Sequence, residues 1–433
     1  MSATAPAKPR RRALKITIWV LVMLVVILAV LEIGFRIFYK LIPLDVCAAT
    51  PIIGNYYCQP YLVYDKPIRL AYHYVPGFKT EGMWDPADPR TANPGNETRP
   101  TGRSDAFLYK FQTDEMGFPN DEYKWRDQYD MIIAGDSFTL RTAPKAWIES
   151  LRDLTGMSIL TLGAPSWGPL NETEAIKMYG LDKKPKWILL MYFEGNDLFN
   201  TEEYLQRKAT GLSWKEYDFQ NTPITQQVIM PYMIAYWFQQ ITGIGKPDPN
   251  TTHYRYPVTA STEAGPIQMV LKDFHLLPMS ADYNTMAISD EFAAIKKSLI
   301  EMNQLAKDQG TRFLLVYVPS KEHAYWSRIW DPTDVNNILA RSVTVKLSEG
   351  DHGHFIWDPQ YLSFDVFNKN HNAQEMLLTD FARDNGIEFL NLTPTFWQNG
   401  IQHGELYQYA DPHWNQAGND LAAQTIAEYV KTH

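Results

Sequence analysis

Short apolar runs alternate with amphipathic segments from Tyr129 to the end of the chain. The runs are too short for buried helices and suit strands that are covered on both faces. They are MIIA from Met131, SILTL from Ser158, WILLMYF from Trp187, FLLVYV from Phe313 and IEFLNL from Ile387. The segments between or after them, such as KAWIESLRDLTG, ETEAIKMYGLD and NQAGNDLAAQTIAEYV, have helical patterns. This alternation predicts an α/β fold, with helices on both faces of a parallel five-stranded sheet.

One predicted helix has the clearest periodicity and leads directly into the FLLVYV strand. Ser289 is expected to cap its N-terminus, and Gly310 ends the pattern. The apolar residues that recur at steps of three and four are Phe292, Ile295, Leu299, Met302 and Leu305. Two long insertions, at about 198–288 and 320–374, are predicted to interrupt the α/β domain, which spans 129–433.

The N-terminus predicts a membrane anchor. Residues 16–31 are uncharged and follow a basic tail, and a span over 16–38 is long enough if Glu32 and Arg36 lie near the far interface. A cleaved signal peptide is the alternative, but no small-residue cleavage site follows the apolar run. The basic tail, residues 1–15, is expected in the cytoplasm. The single-pass chain would then place an extracytoplasmic juxtamembrane region, 39–128, before the α/β domain.

Charge and cysteine content narrow the function classes. Residues 1–40 carry seven Lys/Arg and one Glu, net +6, whereas the remainder carries 33 Lys/Arg and 48 Asp/Glu, net −15. An acidic domain is a poor binder of nucleic acid, so we expect no nucleic-acid partner. The two cysteines, Cys47 and Cys58, suggest a local disulfide in an oxidising compartment, and two buried thiols are the alternative.

Small and polar residues follow the predicted strands at the point where each strand ends. Ser137 follows the first strand in GDSFT, Ser166 the second in GAPSWGP, and Asn196 the third in EGNDL. Asp411 and His413 follow the fifth strand after a loop, in YADPHWNQAG. Because ligands bind at the carboxyl ends of parallel strands, these side chains are expected to share one edge of the sheet.

These four blocks, in this order, resemble the SGNH/GDSL hydrolase superfamily. The resemblance implies the SGNH-type three-layer α/β/α fold, with Ser137 as nucleophile, Asn196 as an oxyanion donor, and Asp411 and His413 as the acid and base. The family has a glycine at the oxyanion position that Ser166 occupies here, between Gly163 and Gly168. A serine still has a backbone N–H to donate, so the resemblance implies an oxyanion hole formed by Ser137, Ser166 and Asn196.

The resemblance covers about residues 129–433 and departs from the family in one further respect. Asp411 and His413 are two positions apart, whereas most members have a step of three. The shorter step, with Trp414 following, is similar to the alginate O-acetyltransferase branch, and the segment YVPSKEHAY over 317–325 also looks like that branch. Similarity to this branch implies acyl chemistry on an exported polysaccharide.

The chemistry can also be argued from the residues. A serine hydroxyl is a weak nucleophile and needs a base such as His413, whose tautomer Asp411 would fix. The tetrahedral intermediate needs donors, which the N–H groups of Ser137 and Ser166 and the amide of Asn196 would provide. The alternatives are a helix cap for Ser137 and a turn residue for Asn196. Asp197 is expected to be a structural cap.

Two other segments contain residue types that functional sites often use. EGDHGHF contains Glu349, Asp351, His352 and His354 but lacks helical ligand spacing, so we predict a solvated loop and no metal or other cofactor. VIMPYMIAYWF, residues 228–238, is apolar enough to contact a membrane or form a lid, but we predict a buried helix kinked at Pro231.

The sequence therefore predicts a serine-dependent acyl-ester hydrolase at the extracytoplasmic face of a membrane. Its expected substrate is an acylated carbohydrate or another ester. The same triad serves a polysaccharide O-acetyltransferase, which would use a membrane acyl-transfer partner, and this alternative ranks nearly equal. An inactive glycan-binding module is the alternative from another class.

Overall fold

The five apolar runs pair as one parallel sheet in the computed structural model. In chain order the strands are β5 (Met131–Gly135), β6 (Ile159–Gly163), β7 (Trp187–Phe193), β10 (Arg312–Val318) and β13 (Glu388–Asn391). Their spatial order is β6-β5-β7-β10-β13. This order places the first strand beside both the second and the third, as in the flavodoxin-like order 2-1-3-4-5. Gly135, at the end of β5, lies opposite Gly163 of β6 and Met191 of β7. The predicted parallel sheet of five strands is confirmed.

The structure describes residues 9–43, 46–47, 52, 56, 62–66, 68–84, 106–244, 255–276, 278–329, 343–347, 355–361, 364–409 and 411–433. Its strands are β1 Leu62–Tyr64, β2 Tyr72–Tyr74, β3 Lys79–Trp84, β4 Phe107–Gln112, β5 Met131–Gly135, β6 Ile159–Gly163, β7 Trp187–Phe193, β8 Arg255–Thr262, β9 Gly265–Lys272, β10 Arg312–Val318, β11 Val343–Leu347, β12 Phe355–Tyr361 and β13 Glu388–Asn391. Its α-helices are α1 Pro9–Ile37, α2 Trp147–Thr155, α3 Pro169–Ala175, α4 Asp197–Ala209, α5 Trp214–Asn221, α6 Met230–Thr242, α7 Asp273–Leu276, α8 Tyr283–Ala287, α9 Asp290–Asp308, α10 Lys321–Tyr325, α11 Phe364–Asn370, α12 Ala373–Asp384, α13 Thr393–His403 and α14 Gln416–Thr432.

Alternate residues of each central strand enter two different apolar clusters, one on each face of the sheet. Met131 and Ile133 of β5 belong to the cluster that includes side chains of α2, α13 and α14. Ile132 and Ala134 belong to the cluster that includes side chains of α3, α9 and α12. Burying an aliphatic side chain of this kind contributes about 2 kcal/mol. Helices cover both faces, so the predicted three-layer α/β/α arrangement is confirmed.

The helix before β10 has the predicted ends. Ser289 Oγ accepts the N–H of Phe292 at 3.1 Å, which caps α9. The helix ends at Asp308, and Gly310 has a φ of +70°, the left-handed region that favours glycine. The predicted start and stop signals therefore position β10 directly after α9.

The chain divides into two compact units. One unit comprises Met1–Pro60 and Asp218–Pro247, and the other comprises Tyr61–Tyr217 and Asp248–His433. The second unit contains the whole five-stranded parallel sheet. Phe118 is fully buried in its core, and Asn120 Nδ2 donates to the carbonyl of Thr161 on β6 at 2.9 Å. Residues before β5 therefore pack against the sheet, although the sequence of this region is rich in Pro and Gly.

The unit that contains α1 has one helix long and apolar enough to cross a membrane, Ala13–Ile37, with mean hydropathy 2.9. Helix α6 belongs to the same unit as α1. The prediction of a buried helix kinked at Pro231 is wrong. Pro231 lies in the first turn of α6, where a missing N–H costs nothing, and much of the helix surface is exposed.

Several predictions fall on residues that the structure does not describe. They concern the segment with Glu349, Asp351, His352 and His354, which was predicted to be a solvated loop, and the pairing of Cys47 with Cys58. Cys47 is in a disulfide bond, while Cys58 lies outside the described residues.

Candidate active site

Ser137, His413 and Asp411 form a continuous chain of hydrogen bonds. Ser137 Oγ lies 2.7 Å from His413 Nε2, and His413 Nδ1 is hydrogen-bonded to Asp411 Oδ1. The backbone N–H of His413 also donates to Asp411 Oδ1, at 3.0 Å. An ionised carboxylate only accepts, so the histidine proton lies on Nδ1 and leaves Nε2 to accept the serine proton. The geometry is that of a nucleophile, a base and an orienting acid.

Asp411 is buried but remains ionised. Burial opposes its charge, yet the electrostatic interaction with His413 and the two hydrogen bonds from that residue hold the pKa of Asp411 well below its usual range. The step of two between the residues allows one carboxylate oxygen to accept from both the ring and the backbone of His413. This double contact fixes the ring relative to the main chain.

Aromatic side chains hold His413 from the core side. The ring of Phe138 lies 4.9 Å from the ring of His413 and 4.9 Å from that of Trp414, centroid to centroid. Phe138 and Trp414 are both almost fully buried. Phe138, the residue after Ser137, therefore packs against Trp414, the residue after His413, and this contact helps to set the distance between Ser137 and His413.

Ser137 is presented by a tight turn at the end of β5. Asp136 caps a single 3-10 turn, Ser137–Thr139, because its Oδ1 accepts the N–H of Phe138 at 2.9 Å. The alternative of Ser137 as the cap is therefore wrong, and the turn does not continue into an α-helix that would direct its N-terminus at the serine. A Cβ on Gly135 would lie 2.6 Å from Thr139 Cγ2 and 2.9 Å from Met191 Cβ. Glycine is needed here for this close approach and not for a positive φ.

Ser166 follows β6 in a conformation that glycine adopts more easily. Its φ is +55°, in the left-handed region, and its side chain is exposed. The neighbouring residues anchor the loop: Tyr72 donates its hydroxyl to the carbonyl of Pro165, and Asn200 Nδ2 donates to the carbonyl of Trp167 at 3.1 Å. The backbone therefore keeps the glycine-like shape although the residue is serine.

Asn196 occupies the N-cap position of α4 but does not cap the helix. Its side chain makes no N-cap hydrogen bond, and its buried Oδ1 has no partner among the described residues. Asparagine at this position normally bonds to the first turn, so the side chain of Asn196 departs from the usual capping geometry. Ser166 and Asn196 lie at the ends of the strands that flank β5, while no hydrogen bond among the described residues joins either side chain to Ser137.

Three buried carboxyl groups lie in or near the turn that carries Ser137: Asp136, Glu172 and Asp197. Asp197 does not cap α4 as expected, because its Oδ2 accepts the N–H of Phe193 on β7, at 2.8 Å. Neither carboxylate oxygen of Glu172 has a hydrogen-bond partner among the described residues. Burial and mutual repulsion raise the pKa of Glu172 and of Asp197 well above their usual ranges, and burial raises that of Asp136.

Lys321 supports the loop that carries Asp411. It is fully buried, and its Nζ donates to the carbonyls of Gln408, Tyr409 and Asp411, at 3.0 Å each. The segment 317–325 was noted in the sequence, but the role of this lysine was missed. The only available signal was a lysine three positions after the end of an apolar strand, where a charged side chain needs buried partners.

Comparisons with known proteins give low overall similarity. No protein-family profile matches the sequence, and no curated protein matches it. A GDSL-like lipase structure from Bacteroides thetaiotaomicron is 10% identical, with 70% of this chain and 87% of that chain covered and a TM-score of 0.31. An acetyl xylan esterase, AlAXEase, is 12% identical, with 69% and 99% covered and a TM-score of 0.31. An acetylxylan esterase mutant from Geobacillus stearothermophilus is 9% identical, with 71% and 96% covered and a TM-score of 0.33. At this level of similarity, function has to be derived from the side chains of this chain.

Proposed function

We propose that this chain is a serine-dependent acyl-ester hydrolase. The observation that carries the proposal is the 2.7 Å contact between Ser137 Oγ and His413 Nε2, with Asp411 bonded to the opposite ring nitrogen. The site lies at the carboxyl end of β5, beside the point where the strand order reverses, which is where open parallel sheets bind ligands.

In the proposed reaction, Ser137 Oγ attacks the ester carbonyl carbon while its proton passes to His413 Nε2. Asp411 stabilises the imidazolium that forms. Collapse of the tetrahedral intermediate breaks the ester C–O bond, and His413 returns the proton to the leaving alcohol. Water, activated by the same histidine, then attacks the acyl-enzyme, releases the carboxylic acid and restores Ser137.

The oxyanion donors in this proposal are the backbone N–H groups of Ser137 and Ser166 and the side-chain amide of Asn196. The left-handed backbone at Ser166 and the uncapped position of Asn196 support this assignment. Loss of one such donor is expected to reduce kcat by about 10²- to 10³-fold. Asn196→Ala therefore tests the side-chain donor directly.

An O-acylated glycan is the substrate class that we propose. The two-residue step between Asp411 and His413 and the segment 317–325 support it through their similarity to the alginate O-acetyltransferase branch. The same features support a second candidate, in which a sugar hydroxyl replaces water in the second step and the product is an acetylated polysaccharide. That reaction would require a donor delivered by a membrane acyl-transfer partner.

We further propose that α1 spans a membrane and that the catalytic unit lies outside the cytoplasm. None of the most apolar window of Ala13–Ile37 is buried, and four of the five basic residues before the span lie within residues 10–15. A reporter fused after His433 should be active only outside the cytoplasm. Activity in the cytoplasm would contradict this orientation.

A fluorophosphonate probe tests the nucleophile. The wild-type chain should be labelled, and Ser137→Ala should lose labelling and at least about 10⁴-fold of its esterase kcat. Ser261→Ala, which changes an exposed serine on β8, is the matched control and should be labelled like the wild type. Equal labelling of Ser137→Ala, or none of the wild type, would instead favour an inactive glycan-binding module.

A chromogenic acetyl ester, with and without an oligosaccharide, separates hydrolysis from transfer. Hydrolysis alone gives acetate at a rate that the sugar does not change. Transfer gives an acetylated sugar, which mass spectrometry detects, and its absence would count against the second candidate. Ser137→Ala should abolish either product.

A further inference from the structure

Helix α6 exposes one continuous apolar face. The exposed fractions of Ile234, Trp237, Phe238 and Ile241 are 50%, 40%, 51% and 83%. Steps of three, one and three place these four side chains on the same side of a helix. Four large apolar side chains on one short helix form a patch that water covers at considerable cost.

The opposite side of α6 is already occupied within its own unit. Ile229 and Met233 are buried in a cluster with Ile42 and Val46, against which Phe35, Tyr39, Tyr232 and Tyr236 also pack. The exposed face is therefore not the side by which the helix attaches to its neighbours. It needs a second medium or partner.

The composition of this segment favours a hydrocarbon medium. From Phe219 to Gly245 the sequence contains no Asp, Glu, Lys or Arg. A protein-binding helix usually carries charges at the rim of its contact, whereas residues at the boundary of a bilayer are typically apolar, Trp or Tyr. Trp237 lies within the exposed face.

The start of α6 is tied to the end of the proposed span. One carboxylate oxygen of Glu32 accepts the N–H groups of Ile229 and Met230, at 2.8 and 3.0 Å, and the other oxygen pairs with Arg36 at 2.8 Å. Glu32 precedes the last residue of the span, Ile37, by five positions, which is about 7.5 Å along a helix. The N-terminus of α6 is thus at the depth of the final turns of α1.

The exposed faces of the two helices also adjoin. The rings of Phe35 and Trp237 lie 6.3 Å apart, and α1 is exposed along its apolar length, with side chains such as Ile33 and Ile37 about 60% accessible. A medium that covers α1 at the level of Phe35 therefore also contacts the exposed face of α6. A continuous apolar surface over two helices is expected for contact with a bilayer and not with a soluble partner.

We propose that α6 is a second membrane-contacting element, with Ile234, Trp237, Phe238 and Ile241 in the acyl region of the leaflet where α1 ends. The occupant of this face is phospholipid acyl chain. The inference rests on the proposed span of α1, and it goes beyond the proposed ester chemistry. The segment 218–247 would then tie the chain to the bilayer at a second point.

Depth-dependent quenching in vesicles tests the proposal. Full-length Ile241→Cys is labelled with a maleimide fluorophore and reconstituted into phosphatidylcholine vesicles with nitroxide-labelled acyl chains. Gln239→Cys, from the other side of α6, is the matched control, and Val25→Cys reports on α1. Cys47 is in a disulfide and should not react, which the labelled wild type verifies. Thermal unfolding of each variant in detergent checks that the fold is retained.

We expect nitroxide lipids to quench the probe at 241 several-fold more than the probe at 239, and to quench the probe at 25 as well. Quenching at 25 without quenching at 241 would overturn the role of α6 while leaving the α1 span intact. No quenching at any site would overturn both. Energy transfer between labels at 241 on two copies, without lipid quenching, would also overturn the proposal and assign this face to a second copy.

Discussion

Asp411 and Glu172 are both buried carboxyl groups, and they differ in their hydrogen-bond partners. Asp411 is bonded to the ring and the backbone of His413, and its pKa is well below the usual range. Glu172 is equally buried, but neither of its oxygens has a partner among the described residues, and its pKa is well above the usual range. Burial opposes ionisation at both positions, so the partner decides the charge.

The two positions should therefore respond to pH with opposite sign. A carboxyl whose pKa is lowered in the folded state stabilises the fold above its unfolded pKa, and this contribution is lost as the pH falls towards the folded value. A carboxyl whose pKa is raised destabilises the fold increasingly as the pH rises above its unfolded value of about 4.5. Asp411 belongs to the first case and Glu172 to the second.

The largest expected effect is that of Asp411→Asn, which removes the charge and keeps the shape. An asparagine amide can donate to Nδ1 and so stabilise the wrong tautomer, with the proton on Nε2. We expect kcat for a chromogenic acetyl ester to fall by about 10⁴-fold. Steady-state kinetics at pH 7 to 9 measures this loss, which a higher pH should not restore.

Asp197→Asn is the matched control, because it makes the same substitution at a buried carboxyl group whose pKa is raised, like that of Glu172. Asparagine Oδ1 can still accept the N–H of Phe193, and we expect kcat to change less than tenfold. Equal losses in the two variants would show that Asp411 acts through packing and not through its charge on His413.

Lys321→Met tests a buried charge of the opposite sign. The substitution leaves the carbonyls of Gln408, Tyr409 and Asp411 without their shared donor. We expect the free energy of unfolding to fall by about 3 kcal/mol and kcat to fall about 10- to 100-fold with little change in KM, because the loop positions Asp411. Urea unfolding in detergent and ester kinetics measure the two effects.

Lys296→Met serves as the control for removal of a lysine. Lys296 is only partly buried, and its Nζ donates to the carbonyl of Ala287 and not to the loop that carries Asp411. It should leave kcat unchanged. A loss of stability in Lys321→Met without any loss of kcat would contradict the positioning role of Lys321.

The sequence predicted the features that depend on short-range pattern. The strand runs, the capped helix before β10 and the placement of Ser137, Asp411 and His413 at one sheet edge all follow from local periodicity and block order. The catalytic roles stay predictions until activity is measured. The partners of Lys321 lie about ninety positions away in the chain, so only the folded topology reveals them.

The sequence did not show what surrounds an apolar or acidic side chain in the folded protein. The apolar pattern of α6 is the same whether the helix faces a protein core or acyl chains, and the structure had to show which side is packed. The prediction that Asp197 is a helix cap was wrong for a related reason. Its position in the sequence suits a cap, but its carboxylate accepts the N–H of Phe193 on β7.

Glu172→Leu should stabilise the protein, because it replaces an unpartnered buried carboxyl with an apolar side chain. We expect the free energy of unfolding to rise by about 1 to 3 kcal/mol at pH 8, and the gain to shrink as the pH approaches 5. Urea unfolding at several pH values measures it. Glu174→Leu, in the same helix, loses only partly exposed ion pairs, with Lys177 and Arg69, and should show no such pH-dependent gain. A pH-independent difference for Glu172→Leu would show that packing and not charge is responsible.

The smallest expected effect is that of Asp130→Asn, which extends the comparison to a partly exposed carboxylate. Hydrogen bonds from the backbone and hydroxyl of Ser158, together with Lys186, lower the pKa of Asp130 to about 2. Because the folded pKa is lowered, its contribution is present above pH 4 and lost between pH 4 and 2. Solvent screens this ion pair, so we expect Asp130→Asn to lower the free energy of unfolding by only about 0.5 kcal/mol at pH 7. A loss of stability as large as that expected for a buried group would mean that the partners of a carboxylate, and not its exposure to solvent, determine its contribution to the free energy of unfolding.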